Sequence, residues 1–140
     1  MIKKILKLTL TLLFIPSILL AKSEFFQEGM SLYNKSKYKD AKFKFEQDIV
    51  FNPKSELSYL YLSKIFKKLN NKDLEEQNLN AVILLNPKNE EAIYNLAKLK
   101  LNTSDYEKSK NLNERLKIIC TKFCSQSNQL KIEIENLSKK

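Results

Sequence analysis

Residues 41–53 read AKFKFEQDIVFNP and residues 75–87 read EEQNLNAVILLNP. Each is a helical stretch that closes on an asparagine-proline step, and the two prolines, Pro53 and Pro87, stand 34 residues apart (87 − 53). Proline has no amide hydrogen to give a helix and keeps the residue before it out of helical conformation. Each step therefore ends a helix at the same point of a repeated unit. A unit that short cannot bury its own apolar face and must stack on copies of itself. Apolar residues recur at spacings of three and four, no β-type alternation appears, and Gly29 is the only glycine. The expectation is a small helical solenoid. The competing reading, an unrelated helical bundle with a chance spacing, has the same secondary structure.

The landmarks inside the period are specific. A first unit beginning at Lys22 places Phe25, Gly29 and Leu32 on one helix, Ala41 and Phe45 on a second, and Pro53 after its end. A second unit, Glu56 to about Asn89, supplies Tyr59, Leu62, Ser63 and Phe66, then Leu79, Val82 and Leu85, then Pro87. A third, from Glu90, keeps Ile93, Leu96, Ala97 and Tyr106, with Leu112, Leu116 and Ile119 behind them.

These residues resemble the tetratricopeptide repeat (TPR), whose large-x2-Leu-Gly-x2-Tyr, Ala-x3-Phe, Pro pattern is met at Phe25, Gly29, Ala41, Phe45 and Pro53. Gly29 and Ala41 are small because the two helices of a hairpin cross there. The departures are Glu28 in place of leucine, Asp48 in place of a small apolar residue, and Glu75 in place of the small crossing residue. Asn113 stands where an aromatic is usual, and Thr121 where the closing proline would be. The resemblance covers residues 22–123. It implies an all-α fold, a short right-handed superhelical array of about three TPR helix hairpins over units of about 22–55, 56–89 and 90–123.

A C-terminal capping helix is expected over 124–140. Leu130, Ile134 and Leu137 form an apolar stripe among Lys131, Glu133, Glu135 and Lys139, with Ser125 or Asn128 as candidate N-caps. Residues 1–21 read as a signal peptide. Lys3, Lys4 and Lys7 give a basic start, Leu8 to Leu20 is mostly apolar, Pro16 breaks the run, and Ala21 is a small residue for cleavage. No cysteine stands near that point, which excludes a lipoprotein. The alternative is an uncleaved inner-membrane anchor, although the apolar run is short of the roughly 20 residues a span needs. Localisation is read as exported and periplasmic.

Removing that segment lowers the net charge from +9 to +6, since it carries three lysines and no acid. Arg115 is the only arginine, which argues against nucleic acid as a partner because bidentate base and phosphate contacts favour arginine. The sequence has no histidine, and therefore lacks the commonest general base and metal ligand. One glycine cannot build a phosphate loop, and no carboxylate pair stands out. The chain reads as no enzyme, with no catalytic residue, cofactor, metal or small-molecule substrate. Cys120 and Cys124 are expected to pair as a structural disulfide, which requires a helix break near Lys122, because within one unbroken helix their Cβ atoms would be too far apart. Free thiols and a redox or metal role are the alternatives.

In TPR arrays the first helices of successive units line a concave groove. Carried over by position, the resemblance implies groove residues Phe26, Met30, Tyr33 and Asn34 from the first unit. Leu60, Lys64, Lys67 and Lys68 follow from the second, and Tyr94, Lys98, Leu101 and Asn102 from the third. Phe26 and Met30 take the key first-unit places of the carboxylate clamp found in some family members, so that clamp is not expected. The implied function is a periplasmic protein–protein interaction module, an adaptor, scaffold or envelope-assembly factor. Its groove would take an acidic segment with apolar anchors from another envelope protein, and Lys64, Lys67, Lys68 and Lys98 would form a basic wall. A membrane-anchored subunit and a thiol-linked chaperone accessory are the alternatives.

Overall fold

Three tight turns set the architecture. Ser36, Asn70 and Ser104 have φ of 58°, 57° and 61° and stand one 34-residue period apart. At each, a helix ends on a left-handed residue. Ser36 N–H donates to the Tyr33 carbonyl at 2.9 Å and Lys37 N–H to that of Leu32 at 3.0 Å, and the same pair of bonds recurs at Asn70–Asn71 and Ser104–Asp105. This is a Schellman closure made by serine and asparagine rather than glycine.

The structure, a computed structural model, describes residues 23–137 of the chain. Among them lie seven helices and no strand: α1 Glu24–Asn34, α2 Tyr38–Phe51, α3 Glu56–Lys68, α4 Lys72–Leu85, α5 Glu90–Asn102, α6 Tyr106–Ile119 and α7 Cys124–Leu137. The fold is an all-α array of three TPR helix hairpins, α1–α2, α3–α4 and α5–α6, followed by α7. The expected leader, residues 1–21, and the last residues of the expected cap lie outside the described residues.

Four N-caps are side chains that accept a backbone N–H from the first turn: Ser23 from Phe26, Asn71 from Leu74, Asn89 from Ala92 and Asp105 from Lys108. At the first hairpin crossing, a Cβ placed on Gly29 would lie 2.8 Å from the Phe45 ring, so the close approach needs glycine. The buried clusters each straddle a hairpin boundary. Phe26 and Phe45 pack with Leu62, Ile65 and Phe66. Leu60, Leu79 and Val82 pack with Ala92, Leu96 and Leu99. Ala97 and Leu101 pack with Leu130 and Ile134 of α7. Each fully buried Leu or Phe contributes about 1.5–3 kcal/mol, and every hairpin draws part of its core from the next.

The departures from the TPR pattern have local explanations. Asp48 is buried and accepts hydrogen bonds from the hydroxyls of Ser23 and Ser58, tying the starts of α1 and α3 to α2. Asn113 donates to the Ser127 carbonyl at 3.0 Å and accepts from its hydroxyl at 2.9 Å, so the missing aromatic is replaced by a polar lock onto α7. Glu75 is 5 % exposed at the crossing where a small residue is usual, and burial raises its carboxyl above the ordinary value of 4.5.

Several expectations are corrected. The helix α7 begins at Cys124, so Ser125 and Asn128 lie inside it and do not cap it. Glu90 of α5 caps the turn instead, with a carboxylate that accepts from the Thr121 hydroxyl and from the backbone N–H groups of Thr121, Lys122 and Phe123 at 2.7–2.9 Å. Glu56, one period earlier, accepts from the side-chain amides of Asn86 and Asn89 in the loop that closes its own unit. Leu85 and Leu137, read as packed, are 36 % and 39 % exposed. The α7 start stands 34 residues after that of α5 (124 − 90), so the cap takes the place of the first helix of a fourth unit. The helix is interrupted between Ile119 and Cys124, and the sulfurs of Cys120 and Cys124 meet across that turn, with Cα atoms 5.3 Å apart.

Candidate binding groove

A cleft of about 320 Å³ is lined by Tyr33 of α1, Lys64, Lys67 and Lys68 of α3, and Glu91 and Asn95 of α5. Only first helices contribute to it. Their side chains recur about one turn apart along α3, which brings three lysines to one wall.

The structure distributes the twelve sequence-derived groove residues unevenly. Tyr33, Lys64, Lys67 and Lys68 share the cleft. Asn34 and Asn102 are exposed at the helix ends, and Met30, Tyr94 and Lys98 are half-buried. Phe26, Leu60 and Leu101 are each 4 % exposed, turned into the stacking cores, and offer almost no surface to a partner. The correction has a simple cause. In a three-hairpin array the first helices must also pack on one another, and the largest apolar side chains on them serve that purpose.

The basic wall is also narrower than expected. Lys64 pairs with Glu91 at 2.7 Å and Lys98 with Glu133 of α7 at 2.5 Å. These lysines, one period apart, each tie a first helix to the next one along. Lys67 and Lys68 are exposed and have no ion pair among the described residues. Lys68 lies over the Tyr38 ring at 5.2 Å, and Lys64 over Tyr61 at 4.8 Å. The Tyr38 hydroxyl is held below the ordinary tyrosine value, first by its hydrogen bond to Ser36 and then by the Lys68 charge.

Behind the lysines stands a ring cluster that the sequence reading named only in part. Tyr33 meets Tyr38 and Tyr61 edge-on at 5.5 and 5.1 Å, and Tyr61 stacks on Phe45 at 5.3 Å. Tyr61 and Asn95 were missed, though they occupy one repeat position (95 − 61 = 34) adjacent to Leu60 and Tyr94. Carrying over fixed family positions passed over them, whereas the period itself would have shown the pair. The site can therefore hold an anion at Lys67 and Lys68 and an apolar or aromatic group against Tyr33. Among the described residues no cluster of His, Cys, Asp or Glu suits a metal ion. Other clefts include one of about 240 Å³ where Lys67 and Lys72 stand with Glu75 and Asn102. Another of about 430 Å³ includes Ile49, Tyr59, Phe66 and Leu74, and one of about 350 Å³ lies between α6 and α7.

The arrangement is that of a TPR domain, and comparison with solved structures places the fold there. The chain is similar to the TPR2B domain of yeast Sti1, solved as a complex with pHsp70, with TM-score 0.75 and 16 % identity over 81 % of this chain and 95 % of that one. It is similar to the Yersinia enterocolitica type III secretion chaperone SycD, solved with a peptide of the translocator YopD, with TM-score 0.73 and 16 % identity over 84 % and 93 %. It is also similar to the first TPR of Spaghetti (RPAP3) bound to the HSP90 peptide SRMEEVD, with TM-score 0.72 and 16 % identity over 81 % and 90 %. No protein-family model and no curated protein sequence matches the chain.

Proposed function

We propose that the protein is a TPR interaction module that binds a segment of another protein in the groove of α1, α3 and α5, and that it is no enzyme. The observation that carries this is the cleft, where Lys67 and Lys68, with no ion pair among the described residues, line the same wall as the Tyr33 ring. Exposed lysines steer an acidic partner and speed association, while a large rigid ring sets residence time. The solved neighbours support the class, since their complexes are with peptides or pHsp70, and SRMEEVD joins three acids to apolar Met and Val.

The finer reading is that residues 1–21 export the chain, that the mature protein works in the periplasm as an adaptor or assembly factor, and that its partner is an envelope protein. Cys120 and Cys124 form a structural bridge in this reading, supported by the interruption of the helix between them. A thiol titration on protein taken from the periplasm should find none free. A second reading keeps residues 1–21 as an inner-membrane anchor, and the mass of the protein in the envelope separates the two.

The test of the groove uses a partner captured from envelope extract. Lys67→Glu with Lys68→Glu should slow association and flatten its salt dependence, and Tyr33→Ala should speed dissociation. Unchanged kinetics in both variants would overturn the assignment.

A further inference from the structure

The repeat carries a second periodic feature, remote from the groove. Val50, Leu84 and Ile118 stand one period apart at the ends of α2, α4 and α6, and they are 73 %, 83 % and 85 % exposed. Four residues after each comes an exposed lysine: Lys54, Lys88 and Lys122. None of these lysines is ion-paired among the described residues. Scattered exposed apolar residues need no explanation, but the same apolar-x3-Lys pair at the same edge of three units does. The exposed ring of Phe51, stacked on Phe25 at 5.4 Å, widens the strip at its first unit.

The charge balance of this edge is set by how its acids are used. Glu56 and Glu90 start α3 and α5 here, but both are turned onto the loops that close their units. The exposed acids near it are Glu24 and Glu114, and Lys117 adds a further exposed cation. Glu56 and Glu90 keep their charges but are only part-exposed and held by loop amides, so the fully exposed charged groups of this apolar edge are Lys54, Lys88, Lys117 and Lys122 against Glu24 and Glu114. It is also where the described chain begins: Ser23 bonds to Asp48 near the end of α2, so the segment before it, where it is retained, joins the array at this edge.

We propose that this edge rests on an anionic lipid surface. Val50, Leu84 and Ile118 enter the headgroup boundary, and Lys54, Lys88 and Lys122 lie among the lipid phosphates. Lysine suits this position because its alkyl stem covers apolar surface while its ammonium group reaches the phosphates. Among the described residues no helix is long and apolar enough to cross a membrane, so the contact is interfacial. Binding in the groove and resting on lipid are independent of each other.

The test places an environment-sensitive fluorophore on either end of one helix, through Leu84→Cys or Lys72→Cys, in the full chain. The two positions are about 18 Å apart along α4 at 1.5 Å per residue. With phosphatidylglycerol vesicles, the label at 84 should shift to the blue and its quenching by aqueous iodide should fall several-fold, while the label at 72 stays accessible. Phosphatidylcholine vesicles, or Lys54→Glu with Lys88→Glu, should abolish the protection at 84. Tethering by residues 1–22 alone would leave both labels accessible and would overturn the proposal. So would protection of position 84 before vesicles are added, because a second copy of the chain would then be covering the edge.

Discussion

Gly29 shows how little room the array leaves at a helix crossing. Because a Cβ there would sit 2.8 Å from the Phe45 ring, Gly29→Val should destabilise by more than about 2 kcal/mol through overpacking, measured by chemical unfolding. Glu75 is the opposite case, a buried acid in a place built for a small side chain. Burial raises its folded-state value above 4.5, only partly offset by the charges of Lys67 and Lys72. A raised carboxyl binds its proton more tightly in the folded state. Its stabilising contribution is therefore complete below pH 4.5 and is lost as pH rises through the raised folded value. Glu75→Gln should accordingly raise Tm at neutral pH by a few degrees and leave it almost unchanged at pH 4. An unchanged Tm at neutral pH would show that the carboxylate is well solvated. Gly29 was legible because its smallness answers to the family pattern. Asp48 and Asn113 were legible only as departures, because their partners, Ser23, Ser58 and Ser127, are set by tertiary contacts that no period announces.

At the scale of elements, the closing loops of the second and third units are each held by a glutamate at the unit's start, Glu56 and Glu90. Glu90 holds the turn between α6 and α7 with four hydrogen bonds, and its carboxyl falls to about 2, chiefly through the Thr121 hydroxyl and then the backbone N–H groups of residues 121–123. A lowered carboxyl contributes stability that is present above the ordinary value of 4.5 and disappears as pH falls towards about 2. Glu90→Gln should therefore speed hydrogen exchange at Lys122 and Phe123 at neutral pH, with the wild type approaching the variant's behaviour near pH 2. Equal exchange in both proteins at neutral pH would contradict this role. The helices themselves were legible from spacing and from the two prolines. The Schellman turns were not, because serine and asparagine rather than glycine take the left-handed positions. The start of α7 at Cys124 was legible, but the group that holds the turn before it was not, since it comes from another helix, 31–33 residues earlier in the chain.

Across the whole molecule, the two proposals assign different roles to two surfaces. The groove gathers the outward sides of α1, α3 and α5, and the opposite ends of the hairpins carry the apolar and lysine edge. The sequence reading put a groove of twelve residues on the first helices, and four of them share a cleft. Phe26, Leu60 and Leu101 are drawn into the stacking cores, and Lys64 and Lys98 are engaged by Glu91 and Glu133. A list of positions along one helix does not show which of them a neighbouring helix will claim. What is left is a compact site at Tyr33, Lys67 and Lys68, whose lysines have no ion pair among the described residues, and the central claim is that a partner docks there. Site-specific photo-cross-linking in the cells that make the protein tests this most directly, with the reactive group at position 68 in the groove or at position 43, where Phe43 is 57 % exposed on α2. The account predicts a discrete cross-linked partner from position 68 and none from position 43. A partner captured from position 43 alone would place docking on the second helices and contradict the groove.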